Sequence, residues 1–278
     1  MSHVSPPPHP PYLNMATVVA FFNMSGGVGK TTLTMNISHL LGEQHVNTLA
    51  IDMDPQASLT TFFGLDAYGL EATIFDSLMN RAPLPIDSTH WCDLVPANLQ
   101  LAQAELLLAG ELRREYRLRD TLEQAHNKYD VIVIDGPPSL GLLSINCLVA
   151  ADFLLVPLST NYKAVEATMG LLRVSIELAQ KVNPDLRVLG LIPTMYDKRT
   201  SGSRRANDAI HEIAAQLQLP MFDGMNVFDP VPVRTAVSDS QEAHQPLAQF
   251  DPKNDCLKVM RAISKAIEIG RASCRERV

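Results

Sequence analysis

Residues Ser25-Gly26-Gly27-Val28-Gly29-Lys30-Thr31-Thr32 decide how the rest of the chain reads. An apolar run, Thr17-Val18-Val19-Ala20-Phe21-Phe22, leads into them, and Leu33, Ile37, Leu40 and Leu41 follow at helical spacing. Strand, glycine-rich turn and helix, in that order, form the setting of a phosphate-binding loop. The backbone N–H groups of Gly26, Gly27, Val28 and Gly29 turn inward around phosphate oxygens, and the helix N-terminus adds its positive dipole end. In such a loop Lys30 reaches the β- and γ-phosphates, the Thr31 hydroxyl ligates Mg²⁺, and Thr32 closes the cradle.

Three aspartates stand where this chemistry needs them. Val131-Ile132-Val133-Ile134 is a continuous β-branched run, as expected of a strand buried on both faces, and it ends in Asp135-Gly136-Pro137-Pro138-Ser139. Asp135 is thus placed as a Mg²⁺ holder. The short strand Val46–Ile51 ends in Asp52-Met53-Asp54-Pro55-Gln56. Phosphoryl transfer requires a metal, a cation against the developing charge and a positioned water, and two carboxylates after a phosphate loop serve that need.

The remaining strands read as Asp93–Val95, Asp152–Pro157 and Arg187–Ile192. Helices are expected over Lys163–Lys181, Ser203–Leu217 and Leu257–Ile267, and after the 135–141 turn as far as Ala150. Short helices broken at Gly64 and Gly69 are expected in 59–78. A long helical pattern is expected from Leu99 to about Asn127, with Gly110 a possible break, its arginines interleaved with acids as a solvated, salt-bridged face. The segment 220–252, rich in Pro, Asp and Gln, reads as mostly loop. Alternating strands and helices predict an α/β fold, a mostly parallel twisted sheet with helices on both faces. Its ligands sit at the carboxyl ends of the strands, where 25–32, 52–56, 135–139 and 159–163 all begin.

The 278 residues, 46% of them hydrophobic, suffice for one such domain. The net charge of −7 excludes a globally basic surface, so any nucleic-acid contact uses a local patch. Cys92, Cys147, Cys256 and Cys274 are scattered, without a C-x-x-C pair, which fits a reducing cytoplasm rather than a disulfide framework or a zinc site. No signal peptide or membrane-length apolar run is visible. Residues 1–14 carry five prolines and read as a disordered extension, with Met15 the expected native start. Residues 268–278 read as the translation of a short-read sequencing adapter, with natural sequence expected to end near Ile267.

Gly26-Gly27-Val28-Gly29-Lys30-Thr31-Thr32 resembles the deviant Walker A loop of the ParA/MinD family of ATPases. The resemblance extends over roughly residues 16–267. Asp52-Met53-Asp54-Pro55-Gln56-Ala57-Ser58 is similar to the family's first switch segment, Asp135–Ser139 to its second, and Thr194–Thr200 to its T-M-Y-D-x-R-T segment; Pro246-Leu247 and Phe250-Asp251-Pro252 match its late motifs. The family likeness implies a P-loop ATPase using ATP and Mg²⁺. It implies that Asp54 positions the attacking water with Asp52 in support, and that Met195 and the loop around Pro232 contact adenine.

The family's signature lysine falls on Ser25, which cannot reach a dimer partner's phosphates. Either dimer-linked hydrolysis is weaker here or another cation substitutes, with Lys163 the candidate; loss of the signature lysine resembles the McdA-like branch. The likeness further implies an ATP-dependent homodimer that binds DNA nonspecifically. The expected patch is Lys198, Arg199, Arg204, Arg205 and Arg234, extended by Lys258, Arg261 and Lys265. A ParB-like or cargo-adaptor protein would stimulate hydrolysis, and the site of action would be cytoplasmic and nucleoid-associated. Two alternatives stay open. A MinD-like switch would use the stripe Leu257, Met260, Ile263 and Ile267 on a membrane, though such a stripe more often packs on a sheet. A metabolic P-loop enzyme would need a substrate domain.

Overall fold

The computed structural model describes residues 15–89, 91–161, 165, 176–177, 180–217 and 220–275. Strand β1 (Thr17–Phe21) is buried along its whole length and lies inside the sheet. Helix α1 (Lys30–Glu43) follows it, then β2 (Thr48–Asp52), α2 (Ser58–Phe62) and α3 (Ile74–Asn80). The strands β3 (Asp87–Ser88) and β4 (Asp93–Val95) come next, then α4 (Ala104–Leu107) and α5 (Arg117–Leu122). The second half runs β5 (Val131–Asp135), α6 (Leu142–Ala150), β6 (Phe153–Ser159), β7 (Arg187–Thr194), α7 (Ser201–Gln216), β8 (Asn226–Val227), α8 (Thr235–Glu242), α9 (Leu247–Phe250) and α10 (Cys256–Arg275).

Among the described residues the strands form one sheet of eight, in the order β3-β4-β2-β5-β1-β6-β7-β8. Every pairing is parallel except β3 with β4. This is the expected α/β fold. The chain leaves β1 toward β2 on one side and later returns to β6 on the other. The end of β1 is therefore a switch point, where parallel sheets open a crevice for ligands.

Alternation along β1 shows why the sheet is covered twice. Val18, Ala20 and Phe22 enter one core with Ile132, Ile134, Leu148 and Ile210. Val19 and Phe21 enter the other with Leu33, Ile37, Leu40 and Leu41 of α1 and Met260 and Ile263 of α10. The stripe Leu257, Met260, Ile263 and Ile267 is buried there, and α1 packs on α10. Its apolar face is spent on the protein's own core. The described residues contain no helix long and apolar enough to cross a membrane.

Several expectations change. The long helix from Leu99 to Asn127 is instead a series of short turns: 3₁₀ turns at Leu99–Gln103 and Arg114–Tyr116, with α4 and α5 between and after them. Arg113 sits at φ 59°, a left-handed conformation that ends one turn before the next begins. The leucines that gave the helical pattern do not share a face: Leu101, Leu108, Leu118 and Leu122 are buried, whereas Leu106, Leu107 and Leu112 are exposed. The salt-bridged face is present, in Arg113–Asp120 and Arg117–Glu111. The segment read as loop holds β8, α8 and α9, whose polar composition hid two short helices docked on α1. The last helix continues past Ile267 to Arg275, with Gly270 against Phe153 and Arg271 paired with Asp130. Most of the expected helix over Lys163–Lys181, including Lys163 itself, lies outside the described residues; 165, 176–177 and 180 are helical.

Helix α1 ends against the backbone before β4. A Cβ on Gly42 would stand 1.8 Å from the Trp91 carbonyl oxygen. Alanine in a helix gains about 1 kcal/mol over glycine, but displacing packed backbone costs about 1–3 kcal/mol. Gly42→Ala is expected to lower the urea unfolding midpoint, against the sign that helix propensity alone gives; an unchanged or raised midpoint would show that the Trp91 segment yields freely.

Candidate functional site

The glycine-rich loop leaves β1 and enters α1 through Gly29, whose φ of 89° is open to glycine without strain. Two bonds pin the loop to the sheet. Asn23 Nδ2 donates to the Pro157 carbonyl on β6 at 2.6 Å while its Oδ1 accepts from the Ser25 amide at 2.8 Å. The Thr194 hydroxyl on β7 donates to the Val28 carbonyl at 2.9 Å. The loop is thus held from two further strands.

Lys30 is 6% exposed. Its ammonium donates to the carbonyls of Asn23 at 2.8 Å and Ser25 at 2.9 Å. Burial pushes its pKa down, opposed by the charges of Asp135 and Asp54. Asp52 and Asp135 are partners in register at the ends of β2 and β5. Asp52 is wholly buried, and its carboxylate accepts from the Thr60 amide at 2.9 Å, the Thr60 hydroxyl at 2.7 Å and the Asp54 amide at 3.1 Å. Burial nevertheless raises it to about 6. Asp54 is raised by burial against the Gln56 amide and the Lys30 charge. Asp135 is pushed well up by burial and then by Asp52; the Thr31 hydroxyl and Lys30 pull the other way.

Two buried carboxylates, Asp54 and Asp135, therefore act on one lysine, and Asp52 stands beside them. Asp135 Oδ2 is buried with no hydrogen-bond partner. Carboxylates in such surroundings take up a proton or a cation. Mg²⁺ keeps most of its waters and asks the protein for only one or two oxygens beside the phosphates. Asp135 and Thr31, whose hydroxyl draws the Asp135 carboxyl downward, fit that demand. Among the described residues no group of three or more His, Cys, Asp or Glu forms an all-protein metal cage.

The structure thus brings Lys30, Thr31, Asp52, Asp54 and Asp135 to one edge of the sheet. The segments that carry Met195 and Pro232 also run side by side: Tyr196 bridges Pro232, with its amide on the Val231 carbonyl at 3.1 Å. Met195 is 48% exposed beside that bridge. The basic patch is only partly free. Arg199 is paired with Asp197 at 2.9 Å, Arg234 with Asp255 at 2.5 Å and Lys258 with Asp229 at 3.3 Å. The Arg199 guanidinium holds Asp197 down at about 2. Lys198, Arg204 and Arg205 stay exposed on the turn into α7, and Arg204 donates to the Lys198 carbonyl at 2.9 Å. Sequence reasoning passed over Thr34, whose hydroxyl stands 3.4 Å from Asp135, and Gln241 of α8, which donates to Thr32. Neither belongs to a recognisable run.

A glycine loop at a parallel-sheet switch point, a buried lysine and a buried carboxylate with an unbonded oxygen define a P-loop nucleotide-binding protein. The comparisons agree. A family model described as an AAA domain matches residues 16–188. The chromosome partitioning protein ParA of Myxococcus xanthus is 33% identical over 247 residues, 87% of this chain and 84% of that one. A structure named cobyrinic acid a,c-diamide synthase from Mycobacterium smegmatis, with bound ATP analog and magnesium, is 32% identical with TM-score 0.78, covering 91% and 94% of the two chains. A McdA–ATP complex from Cyanothece shares the fold with TM-score 0.81 at 23% identity, over 92% and 97%. The chain belongs to the ParA/MinD family of deviant Walker A ATPases.

Because the Asp135 carboxylate is buried against other acids, Asp135→Asn is expected to stabilise the nucleotide-free protein while removing Mg²⁺-dependent nucleotide binding. A carboxylate raised in the folded state costs stability only above its unfolded pKa near 4. The gain should therefore be present at pH 8 and fade toward pH 4, with roughly 2–4 °C in melting temperature for each kcal/mol relieved. Thermal melts of both proteins across that range check it; a variant less stable than the parent at pH 8 refutes it.

Proposed function

We propose that this chain is a ParA-type ATPase that dimerises on ATP, binds DNA without sequence preference in that state, and positions or segregates a cargo. The observation that carries the reading is the gathering of Lys30, Thr31, Asp54 and Asp135 around a place where positive charge is short. In this reading the Mg²⁺ of a bound magnesium triphosphate would supply that charge, and Lys30 and the loop's N–H groups would meet the phosphates. Lys30 exchanges its two carbonyl partners for phosphate oxygens, Thr31 and Asp135 hold the metal, and Asp54, steadied through Asp52, orients the attacking water. Gly26, Gly27, Val28, Gly29 and Thr32 wrap the phosphates, and Met195 and Pro232 border the base.

Dimer formation lets the nucleotide act as a timer through contacts that differ between two states. With Ser25 in place of a signature lysine, Lys163 is proposed to reach the partner's phosphates; Lys163→Ala then lowers ATP-dependent dimerisation. The cargo is a plasmid, a chromosome or a carboxysome-type protein body, and a ParB-like or adaptor partner stimulates hydrolysis. The proposed location is cytoplasmic and on the nucleoid. The membrane alternative loses its support with the burial of the Leu257–Ile267 stripe. The name of the mycobacterial neighbour favours an amide-forming synthase as the second reading. Against it, Cys92, Cys147 and Cys256 are buried with their thiols pushed up, so none offers a thiolate for releasing ammonia from an amide.

The test is pelleting with DNA or anionic liposomes, with ATP, ADP or no nucleotide. DNA should be bound with ATP only, and Lys30→Ala should abolish the effect. Lys198→Glu combined with Arg205→Glu should weaken binding on every sequence, and each lost phosphate contact should flatten the log–log salt slope by about 0.9. Equal DNA binding with and without ATP, or binding to liposomes instead, refutes the reading.

A further inference from the structure

A second anchor holds the phosphate-loop helix, from a part of the chain some two hundred residues away. Gln241, half-buried on α8, donates through Nε2 to the Thr32 hydroxyl at 2.5 Å. One helical turn further on, Asn36 Nδ2 donates to the Thr32 carbonyl at 2.8 Å, and its Oδ1 accepts from the Leu247 amide at 2.7 Å. Asn36 and Leu247 are both buried. The first two turns of α1 are thus clamped by the α8–α9 segment at Thr32 and Asn36. At its other end α8 begins directly after Pro232–Arg234, where the Val233 amide donates to the Tyr196 carbonyl at 3.0 Å beside Met195. One short helix links the base-side wall to the phosphate loop.

The direction of the Gln241 bond matters. An amide N–H only donates, so the Thr32 hydroxyl accepts from it and keeps its own proton for another partner. A phosphate oxygen is an acceptor of that kind, and hydrogen bonds to an ionised acceptor are the stronger class. We propose that Gln241 is a positioning residue for nucleotide binding: it fixes the Thr32 hydroxyl as a donor toward the phosphate chain of a nucleoside di- or triphosphate. This rests on the nucleotide reading above. It adds a specific coupling, in which the effect of Gln241 passes through the Thr32 hydroxyl.

The experiment is a double-mutant cycle on the full chain, read as ATP and ADP affinity by calorimetry with Mg²⁺. Gln241→Leu should weaken ATP about five- to tenfold, as loss of one hydrogen bond that orients a second predicts. In a Thr32→Ala background the same change should cost less than twofold. Gln241→Glu keeps the shape but turns the donor into an acceptor that competes for the hydroxyl proton, so it should weaken ATP more than leucine does. Should the leucine variant fail to fold, the glutamate variant runs the same cycle. An equal loss with and without the Thr32 hydroxyl makes Gln241 a structural clamp only and overturns the proposal, as does an affinity within twofold of the parent. Absence of ATP binding by the parent chain strikes the nucleotide reading itself, which separates the two failures.

Discussion

The charge imbalance at the carboxyl edge of the sheet governs this molecule. Asp52, Asp54 and Asp135 stand in one crevice with Lys30 as the nearby cation, and burial strengthens every interaction among them. Such an arrangement works against the stability of the free protein. The fold holds it through positions fixed elsewhere: strand register sets Asp52 beside Asp135, the Asn23 and Thr194 bonds shape the loop, and Thr60 takes up the carboxylate of Asp52. Strain of this kind is characteristic of sites that await a ligand. Binding a metal and a polyanion together adds both the missing positive charge and acceptors for the loop's amides.

The same edge is joined by hydrogen bonds to a distant surface. The segments that carry Met195 and Pro232 run side by side on the extension of β7, and α7 with its basic turn starts a few residues beyond. Thr160, Thr194 and Ser203 are joined through one hydroxyl, that of Thr160, which reaches the carbonyls of Thr194 and Met195 and the Ser203 side chain. The Thr194 side chain in turn grips the phosphate loop at Val28. A contiguous polar path therefore runs from the loop to the start of the basic helix. Two of the patch arginines, Arg199 and Arg234, are tied to acids, so contact with a phosphate backbone there requires exchange of partners.

Local signals carried the centre of the fold and failed at its margins. Val131–Ile134 and the loop at 25–32 declare themselves because strand composition and glycine spacing are short-range features. The carboxylates at 52, 54 and 135 could be located because each closes an apolar run. The broken segment 99–122 misled because its leucines count as periodic in one dimension while packing on different sides. The α8–α9 segment looked like loop because its stability comes from docking on α1, and a Gln241–Thr32 pair leaves no trace in either stretch alone. The ion pairs that occupy Arg199 and Arg234 are legible only in part: Asp197 is two residues away, whereas Asp255 is distant in sequence.

The position of β1 has a consequence for how the chain is made. Its hydrogen-bonding neighbours are β5 and β6, and the helix it launches is covered by α9 and α10 near the far end. A ribosome emitting this protein releases the nucleotide loop early, long before any strand that flanks it exists. Until Asp135 has emerged, Val18 to Phe22 have no strand to pair with, and until Ser159 has emerged their other edge is open; until Ile267 has emerged, the outer side of α1 is bare. Nonlocal parallel pairing of this sort folds slowly and exposes sticky intermediates. The nascent polypeptide thus carries its most conspicuous motif for most of synthesis without the architecture that would let it work.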